Sequence, residues 1–141
     1  MNDNKLALSL LIMRLSIAVF FGAWSSLKFY RPEWFGNIFA NFYGIKFVTA
    51  DFATLFGIAQ VLVVIAFAIG IWRTYSYSII MLMHTAGVLG SIPSMMNYTK
   101  YPNNLMLTAI PTLGALIALL ILRKEDRFSV DGWREGSKGS P

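Results

Sequence analysis

An all-α membrane protein is the architecture this sequence predicts: a four-helix bundle with both termini cytoplasmic and an aromatic-rich extracytoplasmic loop between helices 1 and 2. Three observations lead there. Of the 141 residues, 56% are hydrophobic and only 13% charged, with a mean hydropathy of +0.57; soluble domains usually carry about 25% charge. The apolar residues collect into segments of about 18 to 22, each able at about 1.5 Å per residue to cross the hydrocarbon of a bilayer. Lysines and arginines punctuate the ends of these segments instead of gathering along one face.

The first segment, residues 6–27, reads LALSLLIMRLSIAVFFGAWSSL and contains one charge, Arg14. It is too long for the apolar core of a signal peptide, and the SSLKFYRPEWF after it offers no small-residue cleavage site, so it is expected to be retained. The connection at 28–51 carries Trp34, Phe35, Phe39, Phe42, Tyr43 and Phe47. That composition suits an interfacial segment with a short amphipathic helix after Pro32, lying at the headgroup level or covering a cavity between helices. The second segment, 52–72, has no charge before its end; the third, 75–96, holds the only histidine, His84; the fourth, 105–122, includes Pro111 and stops against RKEDR. Residues 1–130 therefore form the four-span membrane domain. The remainder, 131–141, DGWREGSKGSP, is Gly/Ser-rich and charged, the composition of a flexible cytoplasmic tail.

An even number of spans puts both termini on one side. That side holds Lys5, Arg73, Arg123, Lys124, Arg127, Arg134 and Lys138, against Lys28, Arg31, Lys46 and Lys100 on the other. The richer side is predicted to be cytoplasmic, and the expected location is a bacterial inner membrane. The net charge of +5 then reads as topology, so the bilayer is a partner and nucleic acid is not. The absence of cysteine excludes disulfides, thiolate metal sites and iron–sulfur clusters ligated by this chain.

Polar groups inside the spans are functional candidates, because an ionisable side chain in hydrocarbon is costly unless paired or wetted. Counting from the cytoplasmic ends puts Arg14 roughly 13 Å deep, His84 roughly 16 Å and Gln60 roughly 20 Å. If their helices face one another, the three would form one polar, ligand-binding cluster, with Ser16, Thr112 and carbonyls freed near Pro111 as further partners. Other placements stay open. Arg14 would instead reach the cytoplasmic interface and pair with Asp126 or Asp131. Gln60 would be interhelical hydrogen-bonding glue. His84, on a face made small by Gly87 and Ser91, would hold a structural hydrogen bond.

At the outer end Lys28 closes the first span and Asp51 opens the second, so the two are expected to form a structural ion pair, with Asp51 also favouring its helix N-terminus. A functional version places Lys28 at the mouth of a cavity, attracting an anionic or quinone-like oxygen. Asp131 is expected in structural ion pairing too. Met81, Met83, Met95 and Met96 beside His84 suggest a soft Cu(I) site. However, Met83 points away from the face shared by Met81 and His84, and Met95 lies roughly 16 Å further along. With no second histidine, neither a metal site nor bis-histidine haem ligation is expected.

Several of these pieces together resemble the DoxX family of small four-helix membrane proteins. RLSIAVFFGAWSSLKF resembles the opening of that family through Arg14, Gly22 and Lys28, and GIAQVLVVIAFAIGIWR resembles its second helix through Gly57, Gly70 and Arg73. RFSVDG is similar to the terminal motif, carried by Arg127, Phe128, Ser129, Val130 and Asp131. Where the family commonly has glutamate in the second helix, this chain has Gln60, which hydrogen-bonds but cannot ionise. The resemblance implies a small accessory subunit of a respiratory or quinone-linked redox complex that contributes to a quinone or lipophilic-ligand pocket. His84, Gln60 and Lys28 would serve the carbonyl oxygens between apolar, aromatic walls. No cofactor would be intrinsic, no catalytic residue is assigned, and any redox centre would belong to a larger membrane complex. The alternative from another class is a stand-alone membrane protein that binds or transports a small hydrophobic molecule.

Overall fold

The computed structural model describes residues 3–138. Six α-helices and one 3₁₀ segment make up the fold, with no strand among the described residues: α1 Asp3–Tyr30, α2 Pro32–Tyr43, α3 Ala50–Ile69, α4 Arg73–Met96, the 3₁₀ segment Asn103–Thr108, α5 Ala109–Ile121 and α6 Val130–Lys138. The segments Asn4–Tyr30, Ala50–Ile69, Arg73–Met96 and Asn103–Ile121 are long and apolar enough to cross a membrane. The chain is thus a multi-pass helical membrane protein.

Local chemistry explains the boundaries. Pro32 occupies the first turn of α2, where its missing N–H costs nothing and its fixed φ suits a helix. Gly44 ends that helix in the left-handed region, at φ 70°. Thr49 caps α3 by accepting from the Phe52 N–H at 3.2 Å. Gly70 closes α3 at φ 69°. Trp72 follows at φ 48°, so the α3–α4 turn places a non-glycine residue in the left-handed region as well.

Helices α1 and α3 pack antiparallel, and two glycines mark their register. A Cβ on Gly57 would lie 3.1 Å from the Lys28 Cβ, and one on Gly70 would lie 3.0 Å from Arg14 Nη1. Thirteen residues of α3 therefore match fourteen of α1. The core between the helices is built from Leu10, Ile17, Phe21, Val64, Phe67, Tyr77, Ile80, Leu116 and Leu119, among others. Elsewhere the long helices show large exposed apolar faces, as at Val19, Leu55, Leu62 and Ile121, the pattern expected of surfaces that meet lipid.

Helix α2 lies against α1, α3 and α4. Its Phe35 is buried and stacks on Phe56 of α3, with ring centroids 5.4 Å apart. Tyr43 donates to the Ala86 carbonyl of α4 at 2.7 Å, directly over Gly90. Close approach requires that glycine, since a Cβ there would meet the Tyr43 hydroxyl at 2.9 Å.

Candidate functional site

Polar side chains concentrate at two places. One surrounds Arg14, where the segment after α5 returns to the α3–α4 turn. Only 2% of Arg14 is exposed. Its Nε donates to the Ala68 carbonyl at 3.1 Å, Nη1 to the Tyr77 hydroxyl at 3.2 Å and to the Asp126 carboxylate, and Nη2 to the Phe128 carbonyl at 2.6 Å. Tyr77 in turn donates to Asp126 Oδ2 at 2.5 Å. These acceptors come from the end of α3, from α4 and from the α5–α6 link. One guanidinium thereby fastens three elements to α1, and the carboxylate offsets a charge that would otherwise be buried unpaired.

A second arginine extends the network. Arg73 Nη1 donates to the Asp126 carbonyl at 3.0 Å and Nη2 to Glu135 at 2.5 Å. The Asp131 N–H donates to the Gly70 carbonyl at 3.1 Å, and its carboxylate accepts the Arg73 backbone N–H at 2.8 Å. That N–H opens α4 and has no partner within its own helix, so Asp131 caps α4 from a distant part of the chain and favours its dipole. Arg134 also lies 3.9 Å from Asp131. Ser129 donates to the Asp126 carbonyl at 2.5 Å and accepts from the Gly132 N–H at 3.0 Å, capping α6. The expected flexible tail is corrected here: residues through 138 form a helix tied down by Asp131 and Glu135, while 139–141 lie outside the described residues.

The expected cluster of Arg14, Gln60 and His84 does not form. Helix α1 has 28 residues, about 42 Å, longer than the roughly 30 Å of hydrocarbon. Its first turns consequently run past the end of α3, which puts Arg14 level with Ala68–Gly70 instead of mid-span. Gln60 lies eight residues back along α3 from Ala68, about 12 Å away along the axis. Of the two partners considered for Arg14 at that end, the structure supplies Asp126; Asp131 goes to Arg73. His84 Nε2 sits 2.8 Å from the Ala109 carbonyl, two residues before Pro111, and its ring meets Phe20 and Phe21 edge-on. Ser16 and Thr112, named as further partners, donate instead to carbonyls four residues back, Ser16 to Ile12 in α1 and Thr112 to Thr108 at the end of the 3₁₀ segment. Of the methionines, Met81 packs on the core and Met96 is exposed.

The other polar place is the far end of the α1–α3 pair. Lys28 is 5% exposed, and its ammonium lies 5.0 Å from the Phe35 ring centroid and 5.9 Å from that of Phe56. The expected ion pair with Asp51 is absent. Lys28 faces Gly57, about 9 Å along α3 from Asp51, and its side chain goes to the rings. Among the described residues Lys28 has no hydrogen-bond acceptor and no carboxylate within ion-pair distance. One turn past Gly57, Gln60 is buried with no partner for Oε1. The register sets it opposite the buried Ser25 of α1. Lys28 offers three donors and a charge, and Gln60 an acceptor and an amide donor, so together they suit an oxygen-bearing molecule with apolar flanks.

Sequence reasoning missed Tyr77. It falls four residues after Arg73 and so shares a face with it, the signal that would have flagged it. Among the described residues no group of three or more His, Asp or Glu side chains is arranged to hold a metal ion. Fold and sites together define a four-span helical membrane protein with a closed ionic lock at one end and an unpaired lysine at the other. Comparison of the chain with family models, with curated proteins and with solved structures gives no match.

Proposed function

We propose that this chain is a small accessory subunit of a quinone-linked membrane redox complex and that it holds the oxygen of a quinone or similar lipophilic molecule at Lys28. The observation that carries the reading is the Lys28 ammonium, buried against Phe35 and Phe56 with no counter-ion among the described residues. A charge kept in that setting is costly unless something answers it. A carbonyl or phenolic oxygen would do so, with the rings of α2 and α3 flanking its apolar body. Gln60, one turn deeper, would accept or donate a second hydrogen bond. The DoxX resemblance of the segments around Arg14, Gly57 and Arg127 agrees with this role and with an orientation that puts both termini in the cytoplasm. Electron transfer would belong to the partner subunits, since Lys28 and Gln60 only bind and orient.

Native purification in mild detergent, with identification of copurifying subunits and extracted quinones, tests the proposal. Quinone in stoichiometric amount together with a haem, flavin or copper subunit is the expected result, and Lys28→Met should lose the quinone while keeping the subunit. Recovery of the chain with neither would refute it.

A further inference from the structure

The ionic lock borders an open cavity of about 420 Å³, lined by Arg14, Ile69, Arg127, Phe128, Val130 and Trp133 together with the cap residue Ser129. Arg14 and Arg127 both line it and no carboxylate does. Arg14 has five N–H groups; four are taken by Ala68, Tyr77, Asp126 and Phe128, which leaves one on Nη2 without an acceptor among the described residues. Nη2 is the nitrogen bonded to the Phe128 carbonyl, and Phe128 itself lines the cavity. The rim is apolar and aromatic: Ile69 ends α3, Phe128 is about half exposed and Trp133 is 77% exposed. Ile69 also marks one end of a membrane span, so the cavity opens where hydrocarbon gives way to headgroups.

An anionic group at the guanidiniums and an apolar body along Ile69, Phe128 and Trp133 is the complement of this surface. We propose that the cavity binds an anionic phospholipid, its phosphate between Arg14 and Arg127 and its acyl chains along Ile69 and the exposed face of α3. Trp133 stands at the headgroup level, as interfacial tryptophans do. The lipid would take the last N–H of Arg14 and join α1, α3 and α6 through one ligand. It is a site separate from Lys28 and does not depend on the quinone reading.

The test uses the full chain purified from vesicles of mixed phosphatidylglycerol and phosphatidylcholine, with retained lipid counted by native mass spectrometry. One phosphatidylglycerol retained in preference to phosphatidylcholine is expected. Arg127→Gln should cut that retention about fivefold, the effect of one cation near a phosphate. Trp133→Ala should reduce it without touching either guanidinium, and so keeps the test decisive if Arg127→Gln folds poorly. Lys124→Gln, an exposed cation outside the cavity, should leave retention unchanged. Equal retention of the two lipids, wild-type retention in both cavity variants, or a loss in Lys124→Gln matching that in Arg127→Gln would overturn the proposal. Displacement of the lipid by inorganic phosphate would also overturn it, showing a site for a free anion.

Discussion

Removing both charges of the Arg14–Asp126 pair should cost the fold little more than removing either one alone. The side chains are 2% and 1% exposed, so the surviving charge would stay largely buried without its counter-charge. Loss of one partner from such a pair costs about 3–5 kcal/mol. Asp126→Leu leaves Arg14 with only neutral acceptors and takes the acceptor of the Tyr77 hydroxyl away; Arg14→Met leaves Asp126, whose Oδ1 already has no partner. For a chain of this length each kcal/mol moves the melting midpoint by about 3 °C, so each single variant should melt about 9–15 °C lower. The double variant Arg14→Met/Asp126→Leu replaces the pair with apolar volume and should lie close to one single variant, well short of their sum. Thermal melts followed by far-UV circular dichroism, in one detergent for all four proteins, give the comparison. Additive losses would show that the two residues act separately, and would refute the pairing as the reason Arg14 is tolerated.

Gly70→Ala should destabilise by at least about 2 kcal/mol, combining left-handed strain with overpacking, because a Cβ there collides with Ser129; a denaturation midpoint equal to wild type would contradict this. Gly90→Ala should push the Tyr43 hydroxyl off the Ala86 carbonyl and loosen α2, speeding protease cleavage between residues 44 and 49. Unchanged cleavage would mean that α2 is held without Tyr43. Burial raises the Tyr43 phenol above its usual value, so the folded state favours the protonated form. The stability tied to that proton is present below about pH 10 and is lost as pH rises past it; Tyr43→Phe should flatten that alkaline decline in melting temperature. Lys28→Met in ligand-free protein should raise stability by about 1 kcal/mol, since an unsatisfied buried donor is removed. A fall in stability would mean that the ammonium already has a structural partner.

What the sequence disclosed and what it concealed divide along the range of the interactions. The four spans follow from apolar runs bounded by Lys28, Arg73, Lys100 and the RKEDR stretch, all local signals. Pro32 likewise announces α2 within a few residues of itself. The depth of Arg14 depended instead on where α1 begins and how far it runs past α3, which no local pattern specifies. Asp126 appeared in the sequence only as one of two candidate partners, because the choice required knowing that the chain folds back across the α3–α4 turn after α5. The tail was misread for the same reason. DGWREGSK has the composition of a linker, yet its helix is held by a cap from Ser129 and by bonds to Gly70 and Arg73, about sixty residues earlier in the chain.

The two polar places differ in a way that bears on what each is for. Around Arg14 nearly every donor meets an acceptor, and the partners come from three elements besides α1; such completeness is what holding a bundle together requires. Around Lys28 the opposite holds: a charge and an amide sit within a turn of each other on the α1–α3 seam, and neither finds a polar partner among the described residues. Packing alone would be served better by leucine at both positions, because an unanswered polar group lowers stability. If Lys28 and Gln60 were there only to fix helix register, they would be expected to bond each other or the backbone, as Arg14 and Tyr43 do. Their unmet hydrogen bonds are the ones the ligand proposed at Lys28 would satisfy, separately from the lipid proposed beside the ionic lock.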